Sequence, residues 1–187
     1  PLDTAKYLFE VNLFGLARLT QLVLPHMRAQ SDGKIINVSS IGGKIYIPMG
    51  AWYHASKHAV EGWSDCLRTE VAPLGIDVVI VEPGVIDTGF NEKMIGRIAD
   101  SPSTGAYEDI KQAMLATNGS GDRGSNPDVI ADVITKAVQS KHPKTRYHAG
   151  KLASLVLFVR RYFTDRFFDK FIMARINAVI KQRRKAT

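Results

Sequence analysis

Lys34–Lys57, KIINVSSIGGKIYIPMGAWYHASK, is the stretch from which the fold can be read. Ile35, Ile36 and Val38 form a short β-branched run of the kind that fills an inner strand of a parallel sheet. Ser39 and Ser40 close that strand, Gly42 and Gly43 turn the chain, and Pro48 and Gly50 break the loop before a helical pattern starts near Trp52. Tyr53 and Lys57 are four residues apart on this helix and so share one face. An ammonium beside a phenol favours the phenolate, which makes Tyr53 a candidate acid/base.

Upstream, residues 3–28 read as one long helix, with Leu8, Phe9, Leu13, Leu16, Leu19, Leu22, Val23 and Met27 at helical spacing. Asn12 lies inside it, and taken alone it reads as a solvated surface residue. Downstream, residues 52–71 form a second amphipathic helix in which Trp63 reads as core or interface packing and Cys66 as a small buried hydrophobe. Residues 76–82, IDVVIVE, are a second inner strand closed by Pro83-Gly84. Ligands in open α/β sheets bind outside the carboxyl ends of the strands, so Ser40 and Pro83-Gly84 are expected to border one crevice. Glu82 reads as a strand-end residue hydrogen-bonded to a neighbouring loop. Residues 90–122 suit a lid with two weak helical stretches and a Gly/Ser-rich end at 118–121, a segment equally compatible with disorder. A helix over 127–140 starts cleanly at Asn126-Pro127-Asp128, and residues 145–148 read as a last strand.

Several of these features occur together in one known pattern. Tyr53-His54-Ala55-Ser56-Lys57 is a Tyr-x-x-x-Lys motif with Ser40 thirteen residues before the tyrosine. Asn12 in VNLFG, the strand ending NVSS, and Pro83-Gly84-Val85-Ile86-Asp87-Thr88 follow the same pattern in order. The chain resembles the short-chain dehydrogenase/reductase family over nearly its whole length, and residues 51–90 are most similar to the subgroup of 17β-hydroxysteroid and retinol dehydrogenases. The resemblance implies an α/β fold, the catalytic C-terminal portion of a Rossmann-like doubly wound parallel sheet. Residues 1–150 would form that portion of a single domain and residues 151–187 a basic amphipathic helical extension of it.

The resemblance also implies roles. Asn12, Ser40, Tyr53 and Lys57 would be catalytic. Tyr53 would exchange a proton with a substrate oxygen that Ser40 orients, while Lys57 tunes the tyrosine and holds the cofactor ribose. The carbonyl of Asn12 would hold a water linking the lysine to solvent. Tyr53, Lys57, Pro83, Gly84, Ile86 and Thr88 would contact the cofactor, NADP or NAD. Homo-oligomers would form through the two long helices, and the substrate would be a lipophilic alcohol or carbonyl compound. These 187 residues contain no glycine-rich dinucleotide fingerprint and none of the family's first four strands. The alternative expectation is therefore a catalytically inactive fragment that acts as a dimerising or membrane-associated module.

Composition limits other readings. The chain is 45% apolar, which suits a globular protein, and its single cysteine excludes an internal disulfide or a cysteine-rich metal site. No uninterrupted apolar run reaches about 18 residues, which argues against a membrane-spanning helix, and no signal peptide is visible, so a cytoplasmic location is expected. The net charge of +7 is unevenly distributed: residues 1–150 hold 15 Lys+Arg against 16 Asp+Glu, and residues 151–187 hold 10 against 2. A neutral body argues against nucleic acid as a partner. The basic tail could cover the substrate pocket with Leu157, Phe158, Phe163, Phe167 and Phe168, or make weak peripheral contact with an anionic membrane surface.

Overall fold

The computed structural model describes residues 2–102, 105–118 and 124–185. Most of the Gly/Ser-rich end expected at 118–121 lies outside them. Three parallel strands form the sheet: β1 (Gly33–Val38), β2 (Ile76–Pro83) and β3 (Arg146–Ala149), in the order β1-β2-β3. Ile35 pairs in register with Val78 and Ile36 with Val79, so the period of two sends these pairs to opposite faces.

Each face finds its own helices. Ile35, Ile76 and Val78 pack with Leu67 and Val71 of helix α3 (Ala51–Val71), and Leu24 and Met27 of helix α2 (Gly15–Gln30) close over them together with Trp63. On the other face Val79, Ile36 and Tyr147 meet Val133 and Ala137 of helix α6 (Asp128–Gln139). Helices on both faces of a parallel sheet are the doubly wound arrangement the sequence predicts. Trp63 therefore packs as expected, whereas Cys66 is exposed, because α3 turns it to the side away from the sheet.

The long first helix is interrupted at the position of Asn12. Helix α1 (Leu2–Phe9) passes into a π-helical turn, Glu10–Phe14, before α2 begins. The Gly15 N–H donates to the carbonyl of Glu10, five residues back, and a Cβ at Gly15 would lie 3.2 Å from that oxygen. Gly15 thus permits the wider turn at close backbone approach.

The segment after β2 forms two helices, α4 (Gly89–Asp100) and α5 (Glu108–Asn118), and the tail forms α7 (Ala153–Tyr162) and α8 (Asp165–Arg184). The start of α6 carries the expected cap: the Asp128 N–H donates to Asn126 Oδ1 at 2.9 Å. In the tail, Phe168 is fully buried with Ile45, Val156 and Val159, and Ile176 packs against Ala113 and Met114 of α5. Phe158, Phe163 and Phe167 remain exposed on the outer side. No helix among the described residues is long and apolar enough to cross a membrane.

Candidate active site

The carboxyl ends of β1 and β2 open into a cavity of about 960 Å³. At the end of β1, Ser40 is fully extended, and its hydroxyl accepts a hydrogen bond of 3.0 Å from the Gly42 N–H, starting a tight 3-10 turn over Ile41–Gly43. This turn lies so close to α3 that side chains do not fit: a Cβ on Gly42 would sit 2.9 Å from the Tyr53 ring, and one on Gly43 2.7 Å from Ser39 Oγ. The paired glycines thus let the strand-end serine meet the helix that carries the tyrosine.

His54, a residue with no role in the sequence reading, braces the loop after this turn. It is buried; its Nδ1 lies 2.9 Å from the Gly42 carbonyl, and its Nε2 accepts the Ile47 N–H at 3.2 Å. Those two bonds together require the neutral Nδ1–H tautomer, and burial holds the imidazole below its ordinary pKa. The loop 42–47 is therefore pinned to the helix beside Tyr53.

Tyr53 and Ser40 interact through their hydroxyls. Burial raises the phenol above its ordinary pKa, and the Ser40 hydrogen bond only partly offsets this. This corrects the expectation that Lys57 would favour the phenolate. The Lys57 ammonium donates to the Val38 carbonyl at 3.1 Å, at the end of β1, while the Tyr53 ring packs against Phe90 with centroids 5.3 Å apart. Burial also lowers the pKa of Lys57, and the nearby Glu61 carboxylate works against that shift. Asn12 is anchored to the same helix: its Nδ2 donates to Ser56 Oγ at 3.0 Å, and Ser56 Oγ donates to the Tyr53 carbonyl at 2.8 Å.

The second border of the cavity follows β2. Pro83, Gly84, Ile86 and Thr88 line it together with Asn12, Ser40, Tyr53 and Lys57, so all eight sequence-predicted site residues meet in one crevice. Gly84 N–H donates to the Ala149 carbonyl at 2.8 Å, Ile86 bridges to Ser125, and Thr88 caps α4. The tail does cover the pocket, but not with the residues expected. Val156, Phe171, Ile172 and Ile176 line it, because these positions, not Phe158, Phe163 and Phe167, lie on the inward faces of α7 and α8.

Beneath the crevice lies a charge cluster, most of it missing from the sequence reading. Arg146 of β3 pairs with Asp65 at 2.7 Å and with buried Glu61 at 3.0 Å, and Lys44 pairs with Glu61 at 2.9 Å. Glu82 is buried 3.4 Å from Arg146 and is pushed up to about 7 by burial and by the Glu61 charge. The expected loop hydrogen bond of Glu82 is thus replaced by contact with an arginine from the neighbouring strand. Glu61 sits one turn beyond Lys57 on α3, a spacing that could have linked it to the lysine. Nothing in sequence brings Arg146 near Glu61, 85 residues away.

The comparisons with known proteins agree with this geometry. The chain is 35% identical to an uncharacterized oxidoreductase of Bacillus subtilis, YusZ, over 166 residues covering 87% of this chain and 59% of that protein. It is 39% identical to the 3-ketodihydrosphingosine reductase of Bacteroides thetaiotaomicron over 153 residues, covering 80% and 55%. Among solved structures, a short-chain dehydrogenase from Streptomyces avermitilis aligns with a TM-score of 0.68 at 28% identity, over 100% of this chain and 64% of that one. The chain thus spans between 55% and 59% of the length of these curated relatives. The model for short chain dehydrogenases matches residues 2–97, which carry the serine, the tyrosine, the lysine and the Pro-Gly turn, and the chain belongs to that family.

Proposed function

We propose that this chain forms the catalytic portion of an NAD(P)-dependent oxidoreductase that interconverts an alcohol and a carbonyl compound. The reading rests on one observation: Ser40, Tyr53 and Lys57 line one largely apolar crevice at the strand ends. A phenol with a raised pKa keeps its proton at neutral pH and can give it to an oxygen that is gaining negative charge. Ser40 would donate a hydrogen bond to the same oxygen and so stabilise that charge as it develops. One relative is named for the reduction of a keto compound.

The donor set fits the nicotinamide end of a dinucleotide. Lys57 offers an ammonium, the segment from Pro83 to Thr88 offers backbone groups and an apolar surface, and both border the same crevice at the strand ends. The nicotinamide, when bound, supplies or accepts the hydride. Lys57 would hold the ribose hydroxyls, Ile86 and Thr88 the ring, and Asn12 would keep the helix beside Tyr53 open to solvent at its π-turn.

The lipophilic substrate class is supported by the apolar wall of α5, α7 and α8. Homo-oligomer formation is supported by Val11, Phe14, Leu19, Leu22 and Val23, which stand exposed along α2 and the turn before it. Weak peripheral membrane contact is supported by the exposed aromatic and basic outer side of the tail. The decisive experiment is steady-state reduction of an apolar ketone by the intact natural protein and its Tyr53→Phe variant. Loss of one hydroxyl is expected to lower kcat by a factor of about 10² to 10⁴ with the fold retained. Near-normal turnover would sink the assignment. Lys57→Met is expected to be nearly as damaging.

A further inference from the structure

The charges lining the cavity are all of one sign. Lys57, Arg97 and Arg175 line it, and among the described residues no aspartate or glutamate does. Lys57 belongs to the site already described, but Arg97 on α4 and Arg175 on α8 lie on the substrate side, in the wall made by lid and tail. The bland account of an exposed arginine is a solvated side chain or one satisfied by a surface carboxylate. For several other arginines the second account holds: Arg68 and Arg146 pair with Asp65, Arg160 with Asp165 and Arg184 with Asp109. Arg97 and Arg175 are paired with no carboxylate among the described residues, although each lines an otherwise apolar wall. Both are exposed residues that line the cavity, and each guanidinium presents a fork suited to a carboxylate or phosphate.

The helix geometry gives the distance. Phe90, in the first turn of α4, packs against the Tyr53 ring. Arg97 follows it by seven residues, two turns on the same face, and therefore roughly 10 Å farther along the axis. Met114 from α5 and Ile172 and Ile176 from α8 cluster together and give the same cavity apolar lining. Arg175 adjoins this stretch one residue before Ile176.

We propose that the substrate is an amphiphile: a carbonyl or alcohol carbon at Tyr53, an apolar spacer reaching roughly 10 Å, and an anionic head held by Arg97 and Arg175. The proposal rests on the oxidoreductase reading for the position of the reacting carbon. The head is recognised by negative charge, whether of a carboxylate or a phosphate.

Calorimetric titration of the intact protein with four C12 probes tests this without turnover: laurate, dodecyl phosphate, dodecanol and dodecylamine. One or both anionic probes are expected to bind at least about tenfold more tightly than dodecanol, the step that a charge-assisted contact supplies. The advantage is expected to collapse in the Arg97→Gln, Arg175→Gln double variant and to persist in Arg161→Gln, which removes an equal type of charge from the outer side of α7. Comparing laurate with dodecyl phosphate identifies the head. Equal binding of all four probes overturns the proposal, as does preference for the amine, or an anion preference that survives the double variant. Weakened NADH binding in the double variant with unchanged laurate binding also overturns it, by giving the arginines to the nucleotide. Each of these failures leaves the Tyr53→Phe result untouched, and a normal Tyr53→Phe rate leaves head-group binding untouched, so the two readings fail separately.

Discussion

The inner body from β1 through α3 to β2 and the outer wall of α4, α5, α7 and α8 line the same cavity, yet different physics builds them. In the body, the site side chains are tied by bonds that close locally or across one helix-strand contact: Ser40 to Gly42, Lys57 to Val38, Asn12 to Ser56. The wall has ties of its own, such as Lys111 to the Ala99 and Ser101 carbonyls and Arg184 to Asp109, but these join its helices to one another. It is also held by burial of scattered apolar side chains, Phe168 and Ile176 above all, and it presents the charges of Arg97 and Arg175 to the cavity. Under the proposed function, the body would fix the reacting atoms and the wall would choose what reaches them.

If the wall belongs to the same cooperative structure, breaking its central contact is expected to be costly. Phe168 is fully buried, meets Tyr46 edge-on with centroids 5.3 Å apart, and lies under the Arg160 guanidinium at 5.8 Å. Phe168→Ala is expected to cost about 3–5 kcal/mol, as for other buried aromatic truncations, and to release α7 and α8 to proteolysis. Chemical denaturation of the intact protein measures it. A loss under about 1 kcal/mol would mean that the wall is only loosely docked on the body.

The charge cluster allows a test on the body side. The Glu82 carboxyl has an ordinary value of 4.5 and is pushed up to about 7 in the folded chain, so the folded state binds its proton more tightly than the unfolded state does. Between those values the folded form holds more protons, and stability from this group falls as pH rises, by about 2–3 kcal/mol between pH 4.5 and 7. Glu82→Gln is expected to remove this dependence, so the stability difference between variant and parent should shift in favour of the variant by that amount from pH 5 to pH 8. Denaturant titrations at the two pH values check it. Glu61, Asp65, Arg146 and Lys44 face the group, and a difference that does not change with pH would show that they already neutralise Glu82.

Legibility in the sequence follows the same division. The serine, tyrosine, lysine and Pro-Gly turn could be read because their spacing is set by one strand, one turn and one helix, and the structure joins them as expected. The break at Asn12 also has a local cause, since Gly15 admits the π-turn. The state of Tyr53 was not: helical spacing puts Lys57 on its face, but which partner an ammonium takes depends on the carbonyl that a strand end presents. Cys66 and the tail aromatics were misassigned for a related reason. Amphipathic periodicity identifies an apolar stripe without saying which part of it is covered, and on α7 and α8 the stripe is wider than the surface it meets. Arg146, Arg97 and Arg175 carried no local signal, because their roles come from tertiary contact alone.

That surplus apolar surface leads to the smallest effect expected. Phe158 stacks near Tyr162 with centroids 4.8 Å apart and Phe163 on Phe167 at 4.4 Å, and all four rings are exposed where α7 turns into α8. Arg161, Arg166 and Lys170 stand in the same segment. Aromatic rings beside basic residues suit the interface of an anionic bilayer, where each basic residue near the surface contributes about 1 kcal/mol and the attraction weakens as salt shortens the Debye length. The intact protein is expected to sediment weakly with phosphatidylserine vesicles at low salt, less at high salt, and not measurably with neutral vesicles. Phe163→Ser with Phe167→Ser tests whether the rings add to the charge: a drop in pelleting at constant net charge shows that they enter the interface. Unchanged pelleting would leave binding to the basic residues alone, and equal pelleting on neutral and anionic vesicles would remove the charge from the account. Because these rings face away from the cavity, the same double variant is expected to keep its anionic-probe binding. If it did not, the outer and inner faces of the tail could not be treated as separate, and the wall would have to be understood as one coupled unit.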